Sequence, residues 1–349
     1  MKKLKSLLIN TVAFLFLVNG STVVFAQKNL QKALKPNELN HLVNTMSRLV
    51  EHYYITLAEG KKMSHLIQHN LKSGVYSKIS NPADLAKRLT KDLRSINGDL
   101  HMNVFYNIPH PKKTSNVPRL NYEGEWSNFG LQEAKVLAGN VGYLKVKHFT
   151  TWSNFENAKK AVQRTLKTFS NTDALIVDVR NNGGGFEEIV AYLISYFFDG
   201  KRIHLSDYYC RHDGNRTSVW TSADVPGKKL PKLPIYVLVN KKTGSAAESF
   251  AYMLKHLKRA TIIGETTAGA GNGASYHTIS EHFAINIACQ QTINAITKTS
   301  FEQVGVIPHI KTSGSDAFSR SYREALKHLK EHNTKKIHPS HYEKLLKQL

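Results

Sequence analysis

Two loops in this sequence carry residue types able to do chemistry. The first is Asn240-Lys241-Lys242-Thr243-Gly244-Ser245-Ala246-Ala247-Glu248, which follows an apolar run and opens an apolar-periodic stretch. That context sets Ser245 at a helix start, beside the free backbone N–H of Ala246 and the positive end of the helix dipole. A serine there can act as a nucleophile in acyl transfer, because the oxyanion of the tetrahedral intermediate falls to that N–H. The same placement also suits a plain helix cap, a common role for serine. The surroundings are not a G-x-S-x-G elbow. The second loop, Arg180-Asn181-Asn182-Gly183-Gly184-Gly185, follows Asp178-Val179. Its glycines let backbone approach a ligand closely and aim N–H groups at it. It lacks the Lys-Ser/Thr ending of a phosphate loop and does not form G-x-G-x-x-G, so alone it also reads as a flexible strand-to-helix connection.

These loops must be held by regular elements. Ala174 to Val177, Ile235 to Val239 and Thr261 to Ile263 are short apolar runs of the buried-strand type. Helical stripes follow or precede them: Phe155, Ala158, Val162, Leu166 and Phe169 behind an Asn154 cap; Ile189, Leu193 and Phe197; and Ala247, Phe250, Ala251, Leu254 and Leu257. Phe129 to Leu137 and Val141 to His148 are strand-like and joined by the hairpin signal Gly139-Asn140. The pattern predicts an α/β core over residues 122–315, with ligands at the carboxyl ends of its strands. Before it, residues 27–106 read as a small helical subdomain. Its three stripes run through Leu39, Leu42, Val43, Met46, Leu49, Val50 and Tyr53; through Met63, Leu66, Ile67 and Leu71; and, behind the Asn81-Pro82 cap, through Leu85, Leu89, Leu93 and Ile96. Residues 107–121, with Pro109, Pro111 and Pro118, read as a linker, and 316–349 as a terminal helix and basic tail.

The first 26 residues have a basic start, a short apolar stretch and a small-residue site ending at Ala26, which predicts a cleaved signal peptide and a secreted, periplasmic or extracellular protein. No integral membrane segment is expected after its removal. Cys210 and Cys289 are the only cysteines, which excludes a disulfide framework and a Cys-rich zinc site; one bridge between them remains open. The formal net charge is +22, a balance that suits an anionic partner or simply a solvated basic surface. The basic residues are spread along the chain without interleaved aromatics, so no nucleic-acid groove is expected.

Together the two loops resemble the tail-specific, or C-terminal processing, serine peptidases. Asp178-Val179-Arg180-Asn181-Asn182-Gly183-Gly184-Gly185 is similar to their D-x-R-x-N-x-G-G segment, and Ser245-Ala246-Ala247-Glu248 to their S-A-S-E motif, in the same order and separation. The resemblance runs from about Asn37 to Ile310. It implies a ClpP/crotonase-like α/β fold, Ser245 as nucleophile, and an oxyanion hole from Ala246 with Gly184 and Gly185. Many members use a lysine base in a G-K-G-like turn, but here Gly264-Glu265-Thr266-Thr267-Ala268-Gly269-Ala270-Gly271 contains no lysine, and Lys255 and Lys258 come too early. An unaided serine hydroxyl is a poor nucleophile. The tricorn-core branch uses histidine and glutamate instead. Asn97-Gly98-Asp99-Leu100-His101 resembles its D-G-H-like segment, and Glu302-Gln303-Val304-Gly305-Val306-Ile307-Pro308 its E-N-x-G-V-x-P-D-like stretch. This implies His101 as general base and Glu302 as its support, with Glu248 and Glu265 as rival carboxylates.

The expectation is therefore an exported peptidase acting on peptides or proteins through an acyl-enzyme, with no metal or cofactor and an oligomeric state the sequence leaves open. About 20 residues between Phe105 and Phe129 leave no room for the PDZ domain many members carry. In that arrangement the chain also resembles modules of the interphotoreceptor retinoid-binding protein. A non-catalytic carrier of a hydrophobic ligand is the alternative.

Overall fold

The structure, a computed structural model, describes residues 33–106, 128–150, 154–332 and 337–349. The signal-peptide and linker expectations fall on residues outside these. The main sheet contains β2 (Leu131–Leu137), β3 (Val141–Val146), β4 (Ala174–Asp178), β7 (Ile235–Val239), β8 (Thr261–Gly264) and β11 (Ile310–Lys311), in the order β11-β8-β7-β4-β3-β2. All neighbours pair in parallel except β2, which runs antiparallel to β3.

The apolar runs are continuous because both sheet faces are covered. Leu175 and Val177 of β4 join the core under helices α4 (Phe155–Lys167), α5 (Glu187–Ser195) and α6 (Ala246–His256). Their neighbours Ala174 and Ile176 point the other way, into a core closed by α7 (Ala317–His332) and α8 (Pro339–Lys347). Strand period and two covered faces together require every position of β4 to be apolar up to Asp178. The segment after residue 316 thus holds two helices, with Leu326, Leu329 and Tyr342 buried against the sheet.

A second sheet was not expected from the sequence. It runs β1 (Asn103–Tyr106), β10 (Phe283–Asn294), β5 (His204–Cys210), β6 (Arg216–Trp220), with β9 (Gly273–Thr278) also on β10. Helices α1 (Pro36–Tyr53), α2 (Leu57–Lys72) and α3 (Pro82–Arg94) bury the expected stripes, but against this sheet as well as each other: Met46, Ile67 and Leu89 share one cluster with Phe283, Ile285 and Ile287. Asn81 caps α3 as expected, accepting from Ala83 N–H at 2.8 Å. The helical reading ends too late, since Asn103–Tyr106 is a strand paired antiparallel with Phe283–Asn286. The strand expected from Phe129 begins at Leu131, because Asn128 and Phe129 adopt left-handed φ of 49° and 54°.

Candidate active site

Because β4, β7 and β8 are parallel, the loops at their carboxyl ends emerge on one edge, where α/β sheets bind ligands. The loops after β4 and β7 are riveted together. Asn182 is buried, its carbonyl accepts Gly244 N–H at 2.9 Å and its amide donates to Val146 O at 3.0 Å. Asn181 and Asn240 exchange two hydrogen bonds of 3.0 Å. Asp178 and Arg180 pair at 2.6 Å, and Arg180 Nη1 reaches Gly314 O at 2.6 Å. The Asp-x-Arg pair therefore ties the sheet edge to the chain entering α7, and the asparagines hold the two loops in register.

This frame carries a strained serine. Ser245 has φ 52° and ψ −124°, a region that costs a non-glycine residue on the order of 1–3 kcal/mol. Its N–H donates to Glu248 at 2.9 Å. Glu248, fully buried, also accepts from Thr267 and from the N–H groups of Gly269 and Ala270 at 2.7 and 2.8 Å. Burial raises the Glu248 pKa while these donors pull it back. Committed to holding the 267–270 loop against α6, Glu248 is not available as a base. Glu265 turns toward Gly314, where an added Cβ would sit 2.8 Å from its carboxylate. Lys255 Nζ donates to Ile307 O at 2.6 Å.

The Ser245 hydroxyl makes no cap hydrogen bond; it lies 3.3 Å from His101 Nε2. His101 comes from the loop between α3 and β1, 144 positions away, and the β1–β10 pairing delivers it. Arg94 fixes that loop by donating to Leu100 O and Met102 O, both at 2.7 Å. Asp99, with no exposed surface, accepts His101 N–H at 2.9 Å, and its Oδ1 lies 3.7 Å from His101 Nδ1. Asp99 Oδ2 accepts from Tyr54 Oη at 3.1 Å and Asn272 Nδ2 at 3.0 Å. Burial alone would raise Asp99, but the bonds from His101 and Asn272 hold it below the usual carboxylate range.

Glu302 completes the cluster. Its Oε2 accepts Gly271 and Asn272 N–H at 2.6 and 3.0 Å. Its Oε1 and His101 Nδ1 are both buried without a hydrogen-bond partner among the described residues. Burial, reinforced by the Asp99 charge, pushes Glu302 up to about 7. The donor atoms of Asp99, His101 and Glu302 lie within 4.8 Å of one another, a spacing that would also suit a metal ion, as does that of Cys210, His212 and Asp213. Asp99 stands inside the histidine segment of the sequence, but nothing in residue type or spacing marks it as a partner; its signal is burial, which only the fold reveals.

Ala246 opens α6, so its N–H lacks an intrahelical partner. Gly184 N–H is taken by Asn182 Oδ1 at 2.9 Å. What Gly184 contributes is space: at φ +111°, a Cβ would come within 2.7 Å of Ser245 Cβ. Gly185 and Ala246 line a cleft of about 1000 Å³ together with His101 and Ser245. Cys210 and Cys289 are free and buried, and burial pushes the Cys210 thiol up to about 11, so it is no rival nucleophile.

Residues 140–312 match the model of peptidase family S41, and residues 27–128 match the N-terminal domain of peptidase S41 in eukaryotic IRBP. The chain is 34% identical over 173 residues to the chloroplastic carboxyl-terminal-processing peptidase 2 of Arabidopsis thaliana, covering 48% of this chain and 31% of that one. It is 30% identical over 140 residues to the tail-specific protease of Haemophilus influenzae, covering 39% and 18%. It thus spans about a third or less of the length of these relatives. In fold it is similar to a lipoprotein from Streptococcus agalactiae (TM-score 0.57, 16% identity, 84% of this chain and 98% of that one) and to the tricorn protease (0.51, 15%, 82% and 35%). No helix among the described residues is long and apolar enough to cross a membrane. The chain belongs to peptidase family S41.

Proposed function

We propose that the protein is an exported serine peptidase that cleaves peptide bonds through an acyl-enzyme on Ser245. The observation that carries this reading is the 3.3 Å approach of His101 Nε2 to Ser245 Oγ, at a strained helix start inside a substrate-sized cleft. To take the hydroxyl proton, Nε2 must be unprotonated, so Nδ1 holds the ring proton and faces the carboxyl groups. As Oγ attacks the scissile carbonyl, His101 becomes an imidazolium, and Asp99 supplies the opposing charge from 3.7 Å. Glu302, within 4.8 Å of the same pair, supports the site. The oxyanion is received by Ala246 N–H at the positive end of α6, with Gly185 as the second backbone donor. His101 then protonates the leaving amine, and water repeats the sequence in reverse to free the acyl group.

Export rests on residues 1–26, and the named activities of the relatives point to processing near a substrate's carboxyl terminus. Labelling the purified protein with a fluorophosphonate probe tests the core of the reading. The probe is expected on Ser245 and on no other residue; modification elsewhere, or none, would refute it. The carrier alternative predicts no labelling and saturable binding of a fluorescent fatty acid.

A further inference from the structure

The cleft that opens on Ser245 holds another carboxyl group, one that neither the nucleophile nor its base uses. Glu187, the first residue of α5 and two residues beyond Gly185, lines the cleft with Tyr208 of β5 and Ser249 of α6. Its Oε1 is buried and has no hydrogen-bond partner among the described residues. Burial pushes this carboxyl up to about 7, with Tyr208 and Ser249 pulling it back and the Glu188 charge adding to the rise. Burial and the neighbouring Glu187 in turn hold the Tyr208 phenol well above its ordinary value. Among the described residues no cation is one of the groups acting on Glu187. A carboxyl oxygen buried without a partner destabilises a fold, and its placement in a substrate cleft suits a partner that arrives with the substrate.

The position fits one subsite. Ser249 lies four residues beyond Ser245 on α6, so the two share a helix face about 6 Å apart along the axis. Glu187 stands beside Ser249. A side chain running down that face from an acyl group on Ser245 meets the carboxyl after roughly the reach of a long flexible stem. The rim charges offset one another, Lys159, Lys160 and Arg202 against Glu156, Glu188 and Asp224, which leaves Glu187 as the unbalanced charge inside. Resting on the peptidase reading of Ser245, we propose that Glu187 is the floor of the primary specificity pocket and selects substrates whose scissile carbonyl belongs to arginine or lysine. The guanidinium fork matches a carboxylate in two parallel hydrogen bonds, so arginine is preferred. Binding ionises Glu187, and its proton passes to solvent.

Two measurements test this. In a peptide series differing only at the residue before the scissile bond, kcat/KM for arginine should exceed that for leucine, and the ratio should fall about 30-fold or more in Glu187→Gln, as expected when one partner of a buried charge pair is lost. A wild-type preference for leucine, or an unchanged ratio in the variant, overturns the proposal. The pocket is also read without turnover, by calorimetric binding of benzamidine to Ser245→Ala. Binding should tighten about tenfold per pH unit up to about pH 7, then level off, with proton release below that point. It should vanish in Ser245→Ala/Glu187→Gln. Equal binding to the single and double variants overturns the pocket even where the fluorophosphonate probe labels Ser245; benzamidine bound at Glu187 without labelling refutes the peptidase reading instead.

Discussion

The carboxyl groups of Asp99 and Glu302 lie within 4.8 Å of each other and of a ring nitrogen of His101, and the fold drives their acidities apart. Asp99 is held below the usual carboxylate range by its hydrogen bonds, while Glu302, buried beside that charge, is raised to about 7. Two carboxyl groups this close do not ionise together easily. At mildly acid pH the Asp99 carboxylate thus carries the negative charge near the imidazole, and Glu302 is largely a neutral acid hydrogen-bonded to the Gly271 and Asn272 amides.

That division ranks three substitutions. Under the proposed mechanism His101→Ala removes the general base and should lower kcat by about 10²–10⁴-fold. Asp99→Asn keeps the shape but removes the charge that opposes the imidazolium, and should approach the same loss. Glu302→Gln should cost the least at pH 6, where the native side chain is already mostly protonated. Single-turnover rates for the three variants at pH 6 and pH 8 check the order; a Glu302→Gln loss larger than that of Asp99→Asn at pH 6 would exchange the roles of the two carboxyl groups.

Stability should record the same shift. Glu302 binds its proton more tightly in the folded state, at about 7, than the ordinary 4.5 of an unfolded carboxyl. Its contribution is therefore fully present below about pH 4.5 and is lost as pH rises through 7. Glutamine stays neutral throughout. The difference in Tm between Glu302→Gln and wild type should grow in favour of the variant from pH 5 to pH 8, by no more than about 3 kcal/mol in stability. A difference that is flat with pH would mean that Glu302 ionises normally in the folded protein.

The glycine loop offers a paired control. Gly184 has φ +111°, and a Cβ there would press on Ser245 Cβ and Ala246 N; at Gly183 a Cβ would meet nothing within 4 Å. Gly184→Ala should lower both Tm and the rate of fluorophosphonate labelling, the latter by about 10²-fold or more through displacement of the nucleophile. Gly183→Ala should change neither by much. Equal behaviour of the two variants would show that close packing against Ser245 is not what the loop supplies.

The main sheet was legible because its strands are buried on both faces, so Ala174–Val177 and Ile235–Val239 stand out as uninterrupted apolar runs. The second sheet was not. The strand over Arg216–Trp220 is mostly exposed and that over Gly273–Thr278 alternates half-buried with exposed positions, both rich in polar residues; they are strands because β10 and β5 offer them partners. Ser245 and the glycine loop were legible because their unusual residues stand in short contiguous runs. Glu302 and His101 came through family resemblance. Asp99 and Glu187 were not legible, since an acid near a loop or helix start looks ordinary until the fold encloses its carboxyl oxygens.

Ser245 separates the demands of stability and chemistry most directly. Its hydroxyl makes no cap bond, so Ser245→Ala forgoes little that holds α6 together, and its stability should stay within about 1 kcal/mol of wild type. Under the proposed mechanism activity and probe labelling should nevertheless fall by at least about 10³-fold, the nucleophile being gone. Ser245→Gly should be equally inactive but more stable than Ser245→Ala. At φ 52° and ψ −124° glycine relieves strain of about 1–3 kcal/mol, which outweighs the roughly 0.5–1 kcal/mol it loses through a freer unfolded chain. Thermal unfolding of the three proteins side by side decides the point. A glycine variant less stable than the alanine variant would mean that the corner is unstrained and that the backbone at Ser245 is not held there for catalysis.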